Sequence, residues 1–336
     1  MSSSWRRSLS VWGLLIGLAL LAIVLSQVSL AESLRTVAKL DSTRLALPAL
    51  VTAALVALRA ARWQAIFQSS LRPGFGTCFW ALAVGNLANT ILPGRAGDVL
   101  RCFLVRRGPQ PTGASVALAT VGLEKLLDGL SLLSLLAVFF WFSGAPAWLG
   151  RLAVVAGLVF LAILALFVLL RMRTHWFLAV VTRFASVFPA RGATTRLTES
   201  LVQFSKGLSA VTNPRQAVGL VGLTLLTWGS ETLLIWTLAK ALHLELALSG
   251  SVLVCAILGL GLAIPGAPGF VGTYEFFSVA ALRLSAVGPE DALALTLVMH
   301  TWSLISTIIV GLVGLAATGL TWSQLARPRV HQHTVS

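Results

Sequence analysis

Apolar residues in this chain run in long blocks rather than in stripes. Residues 11–28, 45–60, 113–142, 151–170, 216–240 and 291–320 are nearly free of charge. Blocks of about 18 or more such residues are the signature of helices that cross a bilayer. Three further apolar stretches are interrupted. Residues 75–93 carry Asn86, Asn89 and Pro93-Gly94, and the pieces 249–264 and 270–284 are split by Pro265-Gly266-Ala267-Pro268-Gly269. Two prolines and two glycines in five residues predict a break in any helix.

The basic residues give these blocks a direction. Of the 25 Lys and Arg, eighteen fall at block ends assigned to one side and six on the other, with Lys125 inside a block. Lys and Arg gather on the cytoplasmic side, so both termini are expected there. Arg72 on one flank of 75–93, and Arg101, Arg106 and Arg107 on the other, make that segment re-entrant from the cytoplasm. The broken pair at 249–284 then dips in from outside. Two broken segments of opposite orientation, one in each half, point to a transport site. Arg59, Arg62 and Trp63 read as an interfacial anchor, and 195–211 as an amphipathic stretch on the cytoplasmic surface. Ser29-Leu30-Ala31 resembles a signal-peptidase site, but the long first block and the spans after it favour an uncleaved first helix.

The expected architecture is therefore all-α: a polytopic transmembrane helical bundle of about eight helical elements, with two re-entrant or broken segments of opposite orientation. Residues 1–325 form a single integral membrane domain, and 326–336 a disordered tail. The localisation expected is the cytoplasmic membrane.

Composition narrows the function. Hydrophobic residues make up 57% of the 336 and charged residues only 11%, against about 25% charged in soluble domains. The net charge of +14 sits in short loops, which argues orientation and attraction to anionic headgroups rather than nucleic acid. Cys78, Cys102 and Cys255 are isolated, so neither a disulfide framework nor a metal site is expected. There is no Walker loop, no His-Glu-x-x-His and no Gly-x-Ser-x-Gly. No catalytic residue, metal or cofactor is assigned.

Charges at membrane depth carry the remaining chemistry, because each costs about 2.5–3.5 kcal/mol to insert. Asp98, Glu124, Asp128, Glu231 and Glu275 lie there, with Arg95 and Lys125. Glu124 and Asp128 are four apart and share a helix face, which calls for cations, with Arg95 and Arg101 as candidates. Two readings stay open for this group: a structural clasp, and a polar lining for a headgroup path. Asp98 is placed to cap a short helix at 99–107. Glu275 follows the Pro/Gly break, either as a helix cap or as a charged wall of the path. Glu231 and His300 stand as lone polar residues within spans, with His300 either a packed hydrogen-bonded group or a relay.

Four ordered motifs resemble the family named for the transmembrane region of lysylphosphatidylglycerol synthases. They are Ala61-Arg62-Trp63, the run Asn86 to Arg101 containing Asn89, Pro93, Arg95, Gly97 and Asp98, then Glu124-Lys125-Leu126-Leu127-Asp128, and Pro268-Gly269-Phe270-Val271-Gly272-Thr273-Tyr274-Glu275. The family commonly carries Arg where this chain has Lys125. The resemblance implies a flippase-like fold with re-entrant segments and a role in moving or presenting a phospholipid or polyprenyl-linked lipid between leaflets. The residues expected to line that path are Asn89, Arg95, Asp98, Arg101, Glu124, Lys125, Asp128, Gly269, Gly272 and Glu275. An anionic or polyprenyl-linked membrane lipid is the expected partner, with a lipid-modifying enzyme as a second candidate and the oligomeric state open. The soluble aminoacyl-transfer domain of the full synthases is not expected here. The rival readings are a membrane-embedded transferase and an anchor for a separate enzyme.

Overall fold

The computed structural model describes residues 3–67, 72–92, 95–106, 113–143, 147–185, 191–208, 214–263 and 267–319. The expected tail at 326–336, Pro93-Gly94 and Pro265-Gly266 lie outside them. The described residues are all helix and connecting turn, with no strand.

The first half comprises α1 (Ser3–Leu25), α2 (Leu30–Val37), a 3-10 turn at Ser42–Leu45, α3 (Ala46–Ile66), α4 (Phe75–Ile91), α5 (Ala96–Val105) and α6 (Ala114–Ser143). The second half comprises α7 (Ala147–Met172), α8 (Thr174–Ala185), α9 (Arg191–Gly207), α10 (Pro214–Ala241), α11 (Leu248–Gly261), a 3-10 turn at Pro268–Phe270, α12 (Thr273–Leu284) and α13 (Pro289–Thr318). This exceeds the eight elements expected because several blocks bend or split. α2 turns by 87° from α1, and α8 by 94° from α7. Ser29 explains the first bend, since its hydroxyl accepts from Glu32 N–H as the N-cap of α2.

Among the described residues, three helices, spanning Ser42–Ile66, Pro214–Ala241 and Pro289–Thr318, are long and apolar enough to cross a membrane, and up to five spans result if each bent pair is one. α6, at 30 residues, extends about 45 Å at 1.5 Å per residue. Its acids are neutralised by arginines, as described below. Burial is inverted relative to a soluble protein. Val155, Leu158, Leu166 and Leu169 of α7, Val218, Leu225 and Leu226 of α10, and Ile309 and Leu312 of α13 are all exposed, while Arg62, Arg101, Glu124, Glu275 and His300 are buried. An apolar belt of that extent is unsuited to water and suited to lipid. The protein is a multi-pass helical membrane protein.

The two interrupted stretches fold as pairs of short helices packed on each other, α4 on α5 and α11 on α12. None of the four exceeds 17 residues, about 26 Å at helical rise and short of a hydrocarbon core of about 30 Å. The second piece of the later pair starts at Thr273 rather than at 270, because Gly269, Phe270 and Gly272 all have positive φ. Glycine supplies two of those three turns without strain. At Gly272 it also admits α1, since a Cβ there would collide with the Gly17 carbonyl. Gly97 does the same for α5 on α4: a Cβ would overlap the Gly85 carbonyl and Asn89.

α9 lays Phe204, Ser205 and Leu208 inward and leaves Glu199, Gln203 and Lys206 exposed. It packs on α6 and α8.

Candidate functional site

Three of the four motifs interlock at one place. From α3, Arg62 puts Nη1 2.6 Å from Asp128 Oδ1 and Nη2 3.3 Å from Glu124 Oε1 on α6. From α5, Arg101 Nη2 lies 2.8 Å from Glu124 Oε2 and 3.3 Å from Asp98 Oδ1. The Arg101 guanidinium also stacks over the Trp63 ring at 4.7 Å, and Trp63 Nε1–H donates to Thr120 Oγ1 at 3.0 Å. Arg62 and Arg101 are only 3% and 2% exposed. Each arginine thus spans two carboxylates, and each buried acid meets a cation, which is the condition for holding charge away from water.

Arg62 and Trp63 are therefore not an interfacial anchor. Both are buried, and they tie α3 to α6. Arg-Trp at a span end reads as a bilayer anchor in sequence, and only the packing of α6 against it shows otherwise. Of the two candidate cations, Arg101 reaches the Glu124/Asp128 pair. Arg95 instead lies 4.0 Å from Asp98, and its guanidinium donates to Leu262 O. Lys125, 42% exposed, lies 3.8 Å from Asp98. Asp98 does not cap its helix. It sits in the first turn of α5, where the helix dipole favours an anion, and its N–H is bound by Asn89 Oδ1 at 3.2 Å. The N-cap position belongs to Arg95, held in the left-handed region at φ 54°.

The fourth motif meets the others through Arg95. Its side chain crosses from the α4–α5 break to the α11–α12 break, bonding Leu262 O and lying 5.9 Å over the Phe270 ring. The two breaks touch. Arg95, Gly269, Phe270 and Gly272 at the breaks all have positive φ, and among them Arg95 and Phe270 are not glycine. Non-glycine residues in that region cost about 1–3 kcal/mol and persist only where the surroundings hold them.

Behind Phe270 lies a buried dyad. Glu275 Oε2 accepts the Gly272 N–H at 2.6 Å, while Oε1 lies 2.6 Å from His300 Nδ1. His300 Nε2 lies 2.8 Å from Gly269 O, and Tyr274 stacks on the imidazole at 4.2 Å. The carbonyl only accepts, so Nε2 carries a hydrogen. The short Nδ1···Oε1 contact then holds one proton, on ring or carboxyl, and the dyad is neutral overall in either form. His300 is thus neither lone nor distant from the break. It stands 25 residues from Glu275 in sequence, and no spacing rule links them. Glu231 is likewise paired, with Arg59.

The contacts join Asn89, Asp98, Arg101, Glu124, Lys125 and Asp128 in one cluster and Gly269, Gly272 and Glu275 in another, with Arg95 reaching from the first to the second. Arg62, Trp63 and His300 join them from tertiary structure.

These features define a polytopic helical membrane protein with a charged centre built where two broken helix pairs meet. The chain belongs to the lysylphosphatidylglycerol synthase TM region family, which matches residues 10–311. Glycosyltransferase AglD of Haloferax volcanii is 26% identical over 91% of this chain and 54% of its own length. The chain spans about half the length of that curated relative. No solved structure matches it.

Proposed function

We propose that this chain is a membrane lipid translocase of the flippase-like kind, moving or presenting a phospholipid or polyprenyl-linked lipid between leaflets. The observation that carries the reading is the contact between the two helix breaks, where Arg95 bonds Leu262 O and covers Phe270. Non-helical backbone at membrane depth is tolerated inside protein or against a water-filled cavity. Broken helices facing each other from opposite sides are the arrangement that secondary transporters use for their sites. The ten residues from Asn89 to Glu275 named above form the headgroup path in this reading. Residues 1–325 act as one membrane domain with both termini cytoplasmic, in the cytoplasmic membrane.

The test is a leaflet-resolved assay in vesicles reconstituted with the full chain. Headgroup-labelled phosphatidylglycerol and a labelled polyprenyl phosphate are followed by a membrane-impermeant quencher. Faster exchange than in protein-free vesicles, lost on Asp128→Leu, is expected. Exchange at the protein-free rate for both lipids sinks the proposal.

A second reading is favoured by the glycosyltransferase name of the relative: a membrane-embedded transferase on a lipid-linked substrate, or an anchor for such an enzyme. It requires sugar transfer to a polyprenyl phosphate, by the chain alone or with its partner enzyme, without leaflet exchange.

A further inference from the structure

A crevice opens inside the bundle, bordered by Asn86 and Tyr274 of the motifs and by the ion pair Arg59–Glu231. α3 and α10 run antiparallel: Arg44 Nη1 donates to Lys240 O at 3.1 Å at one end, and Gln216 Nε2 to Phe67 O at 3.0 Å at the other. Between them Arg59 Nη2 lies 2.5 Å from Glu231 Oε2. Arg59 is thirteen residues beyond Ala46, and Glu231 ten residues before Ala241, about 20 and 15 Å along the axes. The pair is well inside both helices.

Unlike Arg62 and Arg101, these side chains are accessible, at 34% and 26%. Both border a cavity of about 70 Å³ between α3, α4, α10, α12 and α13, several times the roughly 10–15 Å³ that seats one water. Its wall mixes apolar side chains, among them Leu55, Leu234 and Met299, with polar ones. α13 contributes Ser303 and Thr307, with the Ser306 hydroxyl already donating to Trp302 O at 2.7 Å, α4 contributes Asn86, and Tyr274 closes it toward the Glu275–His300 dyad.

We infer that this crevice binds the phosphate of a lipid headgroup, with Arg59 as its cationic ligand and Glu231 as the internal anion that holds Arg59 when no phosphate is present. The inference rests on the lipid-handling reading and adds a site distinct from the helix breaks. A guanidinium presents a donor fork that suits phosphate oxygens, and α13 and α4 add neutral donors. Glu231 offers only acceptor oxygens when ionised, so it must swing off Arg59 as phosphate arrives. The cavity admits a headgroup phosphate while the acyl chains stay outside, against the exposed apolar faces of α10 and α13. The two arginines of the motif cluster have no such opening and already span two acids each.

The test uses the purified full chain in detergent, titrated by thermophoresis with phosphatidic acid, diacylglycerol and inorganic phosphate. Phosphatidic acid is expected to bind saturably and diacylglycerol not, with inorganic phosphate competing more weakly. Arg59→Gln should weaken phosphatidic acid binding about ten- to a hundredfold, the range for a hydrogen bond to a charged group. Arg59→Lys, which keeps the charge without the fork, should fall between. Glu231→Gln should bind a few-fold more tightly, as an exposed competing pair is worth roughly 0.2–1 kcal/mol, or up to about fivefold. Thermal unfolding of each variant verifies that it is folded, and Arg59→Lys carries the test if Arg59→Gln is not. Unchanged binding in both Arg59 variants, weaker binding in Glu231→Gln, or equal binding of diacylglycerol overturns the inference. Its failure with leaflet exchange intact leaves the translocase reading standing. Arg59-dependent binding without exchange does the reverse.

Discussion

Replacing Arg62 by Met takes away the guanidinium that reaches both acids of α6. The side chain is 3% exposed, 2.6 Å from Asp128 and 3.3 Å from Glu124. Met is similarly long and unbranched, so the change is mainly one of charge. Glu124 keeps Arg101 at 2.8 Å, whereas Asp128, 18% exposed, loses its 2.6 Å partner. Removing one member of a buried pair costs about 3–5 kcal/mol, because the other charge is left uncompensated. At about 2–4 °C per kcal/mol for large domains, the unfolding midpoint should fall on the order of 10 °C. Differential scanning fluorimetry of the purified variant in detergent reads this directly. Adding Asp128→Leu removes the orphaned charge and should restore most of the loss, a coupling of about 2–3 kcal/mol within the range for contacting groups. A single variant that melts with the wild type, or a double variant no more stable than the single, refutes the argument that Arg62 holds this centre together.

Three further outcomes are expected. Glu275→Gln keeps an acceptor for Gly272 N–H but removes the carboxylate facing His300; it should fold and insert normally yet lose lipid exchange in vesicles, and full exchange would leave Glu275 a structural cap. Gly272→Ala forces a side chain into φ +85° and onto the Gly17 carbonyl, costing more than about 2 kcal/mol, read as lost folded yield on size exclusion; a wild-type midpoint would contradict it. Single cysteines placed between 183 and 206 should label only from the cytoplasm and those at 241–248 only from outside, against a low background because Cys78, Cys102 and Cys255 are buried; labelling of 183–206 from outside reverses the proposed orientation.

What the sequence determined by itself was set by local properties. Partition into lipid depends on the summed apolarity of a contiguous block, so the membrane class and most span positions could be read directly. A helix break depends on the φ restriction of Pro and the freedom of Gly, so both interrupted segments were legible from Pro93-Gly94 and from 265–269. The pairing of Glu124 with Asp128 on one face followed from helical period alone. The partners of those charges did not. Arg62 meets Asp128 across 66 positions and His300 meets Glu275 across 25, and an ion pair is chosen by distance in space, which no spacing encodes. Arg59 and Arg62, three residues apart, looked like one anchor. Packing sends Arg62 into a closed network with α6 and leaves Arg59 beside Glu231 at an open crevice. The 87° and 94° bends were equally hidden, since an apolar block reads the same straight or bent. Only the tertiary structure, by bringing two distant breaks into contact, decided where the charged centre of this protein lies.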